Sequence, residues 1–544
     1  MKKIGIYLLA SLWVLTGCND EFLDTFPKTQ INDENFWNNP SDLATYNNQL
    51  YAMQFNNEGF GRGGFSAGML TADNLSDNSF AQSPDDVRLG INSTNSPGRS
   101  DWDWSLVRDV NQMLENVAGA DIEESLKNQY IAEARLLRAL NYYDKLKLYG
   151  QLPIIDRVLT EDDELLYASQ SSRNEVMAFI KSDLDYAIEW MASSAATNRF
   201  DRNIAHAFRA RIMLHEGTFR KYHALGGESA YLQAAVESAQ EIMNSGDYSI
   251  NVNGEYNALF ANVDLSGNNE VVFFRDYDEA LQLYNNVTNL LIGPSFGGTK
   301  DLVNDYLCID GLSIEESPLY QGDATIEDEF TNRDKRLAGT FAQPGTYFVG
   351  EQLYLSSDPE GFVYTHSPSG YQVVKFFAES QEMQAWDRSF IDAPIIRYAE
   401  ILLIYAEAKA ELGNITQADV NMTINQLRAK AEVADLILDQ GSIVADVRRE
   451  RRVELAFEGF RYDDLIRWKE GAQLTAPVLG LRFNETDIAH YDDYEIGTDI
   501  VLNEEGYIMS NQTYQFDESK NYYFPLPVNE LSLNPNLEQT TGWD

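Results

Sequence analysis

The sequence predicts a mainly α-helical protein with a loop-rich portion that carries short β-strands. Three observations support this. Apolar residues recur at helical spacing over long stretches in both halves of the chain. Small alanines stand among large apolar residues in those stretches, as in AEARLLRALNYYDKLKLYG at 132–150, a mixture that lets neighbouring helices interdigitate. Residues 250–390 lack that period and hold β-like runs between polar loops. With 544 residues, 44% of them hydrophobic, the chain can bury a large core, and no Pro/Ser linker or low-complexity tract interrupts it.

The elements follow in order. Lys2 and Lys3 form a positive leader ahead of an apolar run at 4–15, too short to span a bilayer as a permanent helix. Leu15, Thr16, Gly17 and Cys18 are the residues a lipoprotein signal peptidase reads. Residues 1–17 are therefore expected to be a signal peptide, and Cys18 the lipidated (palmitate-bearing) start of the mature chain. Each buried acyl methylene adds about 0.8 kcal/mol, so two or three chains give stable anchoring. Asn19, Asp20 and Glu21 follow, and suit either a polar tether or an export signal to the cell surface. The tether is expected over 18–40. Ser41 is expected to cap a helix over 41–55, and the Gly-, Asn- and Ser-rich residues 56–100 read as long loops.

Further helices are predicted at 104–117, 123–149, 173–191, 201–216 and 230–245. AHAFRARIMLHEG (205–217) followed by YLQAAVESAQEIMNSGDY (231–248) resembles a tetratricopeptide unit, as does YAEILLIYAEAKAELGN (398–414) followed by 417–434. Strands are predicted at 270–274 and 371–377. Helices are expected to resume at 393 and to end with 443–459 and a short turn over 463–468. The tail, 470–544, reads as mainly irregular, with Pro525 and Pro527 fixing an extended segment. The predicted organisation is a helical half, 41–250, and a second half, 251–544, packed as one globular unit.

Charge and motifs narrow the function. A formal net charge of −44 argues against nucleic acid, whose phosphates need cationic partners, and against broad adsorption to anionic lipid. It suits an exposed soluble body and neutral or cationic ligands. The chain has two cysteines; with Cys18 lipidated, Cys308 has no disulfide partner. The glycine run from Gly59 to Gly64 fits G-x-G-x-x-G, but it follows a helix end rather than a strand and lacks a βαβ unit. His215 and Glu216 lack the second histidine of a helical zinc site, and no G-x-S-x-G occurs. Asp264, Ser266 and Asn268 alternate like calcium ligands without the fixed acidic pattern, so support for calcium is weak and no cofactor is expected. Carboxylates are abundant, which leaves a glycosidase pair open as an alternative.

Four segments, in order, resemble the SusD/RagB family of outer-membrane nutrient-uptake lipoproteins. They are CNDEFLDTFPKTQI running into NFWNNPSDLATYNNQLY; AEARLLRALNYYDKLKLYGQLPII; APIIRYAEILLIYAEAKAELGN leading to RRERRVELAFEGFRYDDLIRW; and NYYFPLPVNELSLNPNLEQTTGW. The resemblance implies a SusD-like helical scaffold with tetratricopeptide-like pairs. It also implies a non-catalytic surface glycan binder acting as the lid of a SusC-like TonB-dependent outer-membrane transporter. Some relatives take peptides, so a peptide-binding lid is a further alternative. Within these segments Glu450, Arg452 and Glu454 have spacings that allow local ion pairs, and Arg461, Asp463 and Asp464 read as helix-end capping and packing groups.

A glycan site needs aromatic platforms for C–H faces and planar hydrogen-bonding groups for hydroxyls. The candidates are Asp73, Asn74 and Asp77 in the first loop, Trp102, Tyr306 and Cys308 in NDYLCIDG, and Trp386 and Arg388 in AWDRS. Trp104 is assigned to packing the helix that follows it.

Overall fold

The structure, a computed structural model, describes residues 36–37, 39–61, 64, 68–293, 295–343, 367–483 and 495–544, with the backbone of 348–349 and 352–353. The expected signal peptide, Cys18 and the expected tether through residue 35 lie outside the described residues.

Helices dominate, and several begin at a side-chain cap. Helix α1 (Pro40–Gln54) is capped by Asn39 rather than Ser41: Ser41 N and Asp42 N donate to Asn39 Oδ1 at 3.0 and 3.2 Å, and Pro40 takes the first turn. Helices α2 (Ser105–Val117) and α3 (Glu124–Tyr149) follow, and α3 stops at Gly150, whose φ of 78° few other residues tolerate. Helix α4 (Arg173–Trp190) starts in a capping box of Ser172 and Glu175. Helix α5 (Arg202–Tyr222), capped by Asp201, runs six residues past its predicted end. Helix α6 (Glu228–Ser245) packs along α5. Gly217 permits that approach, because a Cβ there would stand 2.8 Å from Leu232 Cγ. Helix α7 (Tyr398–Glu411) lies against both, so the two segments resembling tetratricopeptide units meet in one stack.

The second half departs from prediction in four places. Residues 393–397 form a strand, not the start of a helix. Besides the two-residue hairpin of Phe348–Val349 with Gln352–Leu353, the short strand pairs are β1 (Ser79–Ala81) with β3 (Phe296–Gly298), β2 (Val271–Arg275) with β4 (Ala393–Arg397), and β5 (Leu479–Arg482) with β6 (Tyr507–Met509), all antiparallel. Pro394 and the β-branched Ile395 and Ile396 suit an extended edge that a helical count alone overlooks. Residues 371–377 form no strand; they are buried and share one bridge, Phe341 with Val373. The helix predicted over 417–434 is two, α8 (Gln417–Met422) and α9 (Ile424–Ala431), broken at Thr423. Helix α10 (Ile443–Glu454) ends before 459 because Phe457 takes a left-handed backbone with φ 62°. The shorter α11 (Arg461–Arg467) and α12 (Val528–Leu533) complete the helices used below.

One large apolar cluster fills the space among α1 to α7. A second joins β1, β3 and the loops of the second half to Val453, Ala456 and Phe457. The charged residues of α10 stitch these regions together, but not by the local pairs expected. Glu450 pairs with Arg336 (2.7 Å) and Arg428 (3.0 Å), Glu454 with Arg397 (2.8 Å) and Arg336 (3.0 Å), and Arg452 with Asp305 (2.6 Å), Asp301 (2.7 Å) and Asp77 (3.3 Å). Their partners come from other elements, because these side chains project away from solvent into the fold.

Candidate functional site

The β2–β4 ladder positions the most prominent exposed aromatic surface of the sequence-predicted site. Beyond Arg275 the chain turns through 276–286, and ahead of Ala393 it runs through 384–392. The two loops stay joined, as Asn285 N donates to Ser389 O at 2.8 Å and Asn285 Nδ2 to Ile391 O at 3.1 Å. Between Asp278 and Leu283 the first loop folds back on itself. Beneath both lies Asp392, which accepts from Tyr277 N (3.0 Å) and Leu265 N (2.9 Å); burial raises its carboxyl to about 7.

A third loop braces the tip. Asp387 has φ 52°, a left-handed backbone uncommon for a residue with a side chain. Two hydrogen bonds hold it there: its N–H donates to Asn286 Oδ1, and its carboxylate accepts from Gly64 N, both at 2.8 Å. Asn286 Nδ2 in turn donates to Gly64 O at 2.8 Å. This scaffold presents Trp386, 47% exposed, and Arg388 on either side of Asp387. The Arg388 guanidinium lies 5.3 Å from the centroid of the half-buried Tyr284 ring. Leu281 and Leu283 add apolar surface, 69% and 48% exposed.

The result is a braced loop surface that carries an exposed indole and, two residues on, a guanidinium over a phenol ring; that guanidinium forms no hydrogen bond with the described residues. It offers apolar faces for C–H groups and planar donors for hydroxyl oxygens. Tyr284 was missed in the sequence, although it met the criterion that selected Trp386: an aromatic residue in a polar loop.

The other candidates lie elsewhere. Asp73 is fully buried and accepts the N–H of Phe457; burial raises its carboxyl to about 7. Asp77 pairs with Arg461 at 2.7 Å and with Arg452, and those cations hold it ionised against the cost of burial. Tyr306 is buried and donates to Thr340 Oγ1 at 2.9 Å, and Cys308 beside it is also buried. These four side chains hold the fold together rather than facing a ligand, since tertiary packing covers the loops that bear them. Asn74 accepts from Ser79 Oγ at 2.7 Å and lines an internal cavity. Trp102 packs edge-on against Trp104 (5.3 Å) and Tyr149 (5.2 Å), and Trp104 against Tyr142 (5.5 Å), so both tryptophans pack on α3. Asp264 Oδ1 accepts from Ser266 N at 2.9 Å and Asn268 Oδ1 from Glu270 N at 2.9 Å, which occupies these groups in turns.

Comparison with known proteins assigns this arrangement to a family. The model of the SusD family matches residues 235–543, more than half the chain. The chain belongs to the SusD family. A second family model, described as starch-binding and associating with the outer membrane, matches residues 21–214. SusD-like protein P2 of Formosa agariphila is 24% identical over 99% of each chain. The starch-binding protein SusD of Bacteroides thetaiotaomicron is 22% identical, covering 82% of this chain and 80% of its own. Among solved structures, a SusD-like carbohydrate-binding protein of Bacteroides fragilis superposes with a TM-score of 0.76 at 24% identity, covering 92% of this chain and all of its own. A laminarin-binding SusD-like protein superposes with a TM-score of 0.61 at 19% identity, covering 93% of this chain. The SusD-like helical fold is thus shared along nearly the whole chain.

Proposed function

We propose that this SusD-family chain is a lipid-anchored, cell-surface glycan-binding protein that captures oligosaccharide without cleaving it. Capture centres on Trp386, Tyr284 and Arg388, and the bound glycan passes to a SusC-like TonB-dependent outer-membrane transporter that the protein covers as a lid. The observation that carries this reading is the exposed aromatic–arginine patch, held by an Asn–Asp–Gly brace, on a fold whose relatives include starch- and laminarin-binding proteins. Anchoring through Cys18 accounts for membrane association by a body in which, among the described residues, no helix is long and apolar enough to cross a bilayer. The acidic surface keeps that body off anionic lipid while leaving neutral glycans welcome.

The test is a panel of polysaccharides and their oligosaccharides applied to purified protein, with binding and reducing-end release followed together. Saturable binding of one glycan class without product supports the proposal. Steady product release abolished by a single Asp or Glu substitution would instead make the protein a glycoside hydrolase.

A further inference from the structure

A second exposed surface forms where the end of the chain meets the loop between α3 and α4. A surface helix ordinarily turns its apolar residues to the core, yet no residue of α12 is buried. Leu531 leans on the large apolar cluster, but Val528 and Leu533 stand 39% and 70% exposed. The loop beside them adds Leu166 and Tyr167, 43% and 55% exposed, on a 3-10 turn over Glu164–Tyr167. Single exposed apolar side chains are ordinary on any protein, whereas several gathered from two distant segments mark a contact surface.

Side chains lock the two segments together. Asn534 Nδ2 donates to Ala168 O at 2.9 Å, and Asn536 Nδ2 to Tyr167 O at 2.7 Å. Gln170 Nε2 donates to Glu538 O at 2.6 Å, and Glu538 N donates to Gln170 Oε1 at 3.1 Å. The 3-10 turn is fixed by Asp163, whose carboxylate accepts from Leu165 N at 2.9 Å and pairs with Arg157 at 3.0 Å. The backbone that carries the apolar side chains is already ordered, so a partner that covers them has little ordering to impose.

The surrounding charge selects the partner. Residues 156–170 carry five carboxylates and residues 527–544 three more, against the single cation Arg157. A second copy would bring acid against the same acid across a two-fold axis. Anionic lipid is repelled in the same way. The chain's own tether, 18–35, holds five carboxylates against Lys28, so it too meets like charge. What fits is a different protein whose apolar contact is ringed by Lys or Arg.

We infer that this face, centred on Leu533 and Tyr167, docks the transporter through an apolar contact rimmed with cations. The inference rests on the lid reading above and adds the surface by which the lid is held. The loops around Trp386 belong to other segments, which leaves glycan capture and docking to separate residues.

The test places a photo-cross-linking amino acid at one position at a time in the full-length lipoprotein, expressed in the cells it comes from. From Leu533 and from Tyr167 the expected adduct is the TonB-dependent barrel; Ile437, 76% exposed on another loop, should give none. Leu166→Asp combined with Leu533→Asp, and separately Glu161→Lys combined with Glu164→Lys, should each cut the barrel recovered in mild detergent by at least about tenfold. Melting temperature and glycan binding of the purified variants should match the parent. If the Asp pair melts early, Leu166→Ala with Leu533→Ala replaces it. No adduct with the barrel, an adduct with a second copy or with lipid instead, or barrel recovery undiminished by either kind of variant overturns the assignment, while the parent's own co-purification keeps the lid reading standing. A parent protein that recovers no barrel removes the lid reading and this docking face with it.

Discussion

Trp386 and Arg388 were legible as surface residues because an indole and a guanidinium in polar sequence have no periodic apolar partners. Tyr306, Cys308 and Asp73 were not legible as buried, since the elements that cover them lie far away in sequence: Thr340 bonds to Tyr306, and Phe457 to Asp73. Trp102 separates packing from recognition. Trp102→Ala should lower stability by roughly 2–4 kcal/mol, through lost ring contacts with Trp104 and Tyr149, and leave glycan affinity unchanged. Thermal melts beside titration check this. Asp73 carries a pH signature. Its folded-state carboxyl titrates at about 7, above the ordinary 3.8, so the stability it contributes is fully present below about pH 4 and is lost as pH rises through 7. Asp73→Asn should therefore shrink the difference in melting temperature between about pH 5 and about pH 8. Asp392, also near 7, leaves a residual dependence of the same sign.

At the scale of elements, the long helices were legible and the short strands were not. Periodicity over many residues located α3, α4, α5 and α6 to within a few positions at most ends, because an apolar stripe and a capping residue agree there. Strand β4 precedes α7 without a break, so its buried residues merge with the helical pattern. The charges of α10 illustrate the same limit: spacing shows which residues share a face, not what that face meets. Glu454 accepts from Arg336 and Arg397 in a buried cluster, so Glu454→Ala should cost roughly 3–5 kcal/mol, by leaving two guanidiniums short of their carboxylate. Because the cluster is buried, denaturant unfolding should show that loss persisting at high salt, where an exposed pair would be screened.

For the whole molecule, the family was legible from four ordered segments, whereas the glycan was not, since the loops that read it differ among proteins of one fold. The tether and patch lie at different places in the chain, and each can be tested without disturbing the other. Cys18→Ala should move the protein from the membrane fraction to the soluble fraction with the same melting temperature, as palmitate labelling and fractionation will show. Native purification in mild detergent should recover a large TonB-dependent barrel with the parent protein. The central claim is that an exposed patch on this SusD-family body captures glycan without chemistry. Calorimetric titration of the parent and Trp386→Ala with the glycan found in the panel, beside thermal melts and a reducing-end assay, tests it most directly. The account predicts a loss of roughly 1–2 kcal/mol in binding, a stability change within about 0.5 kcal/mol and no new reducing ends. Normal binding by a Trp386→Ala variant that melts far below the parent, or reducing ends that accumulate with time, would contradict it.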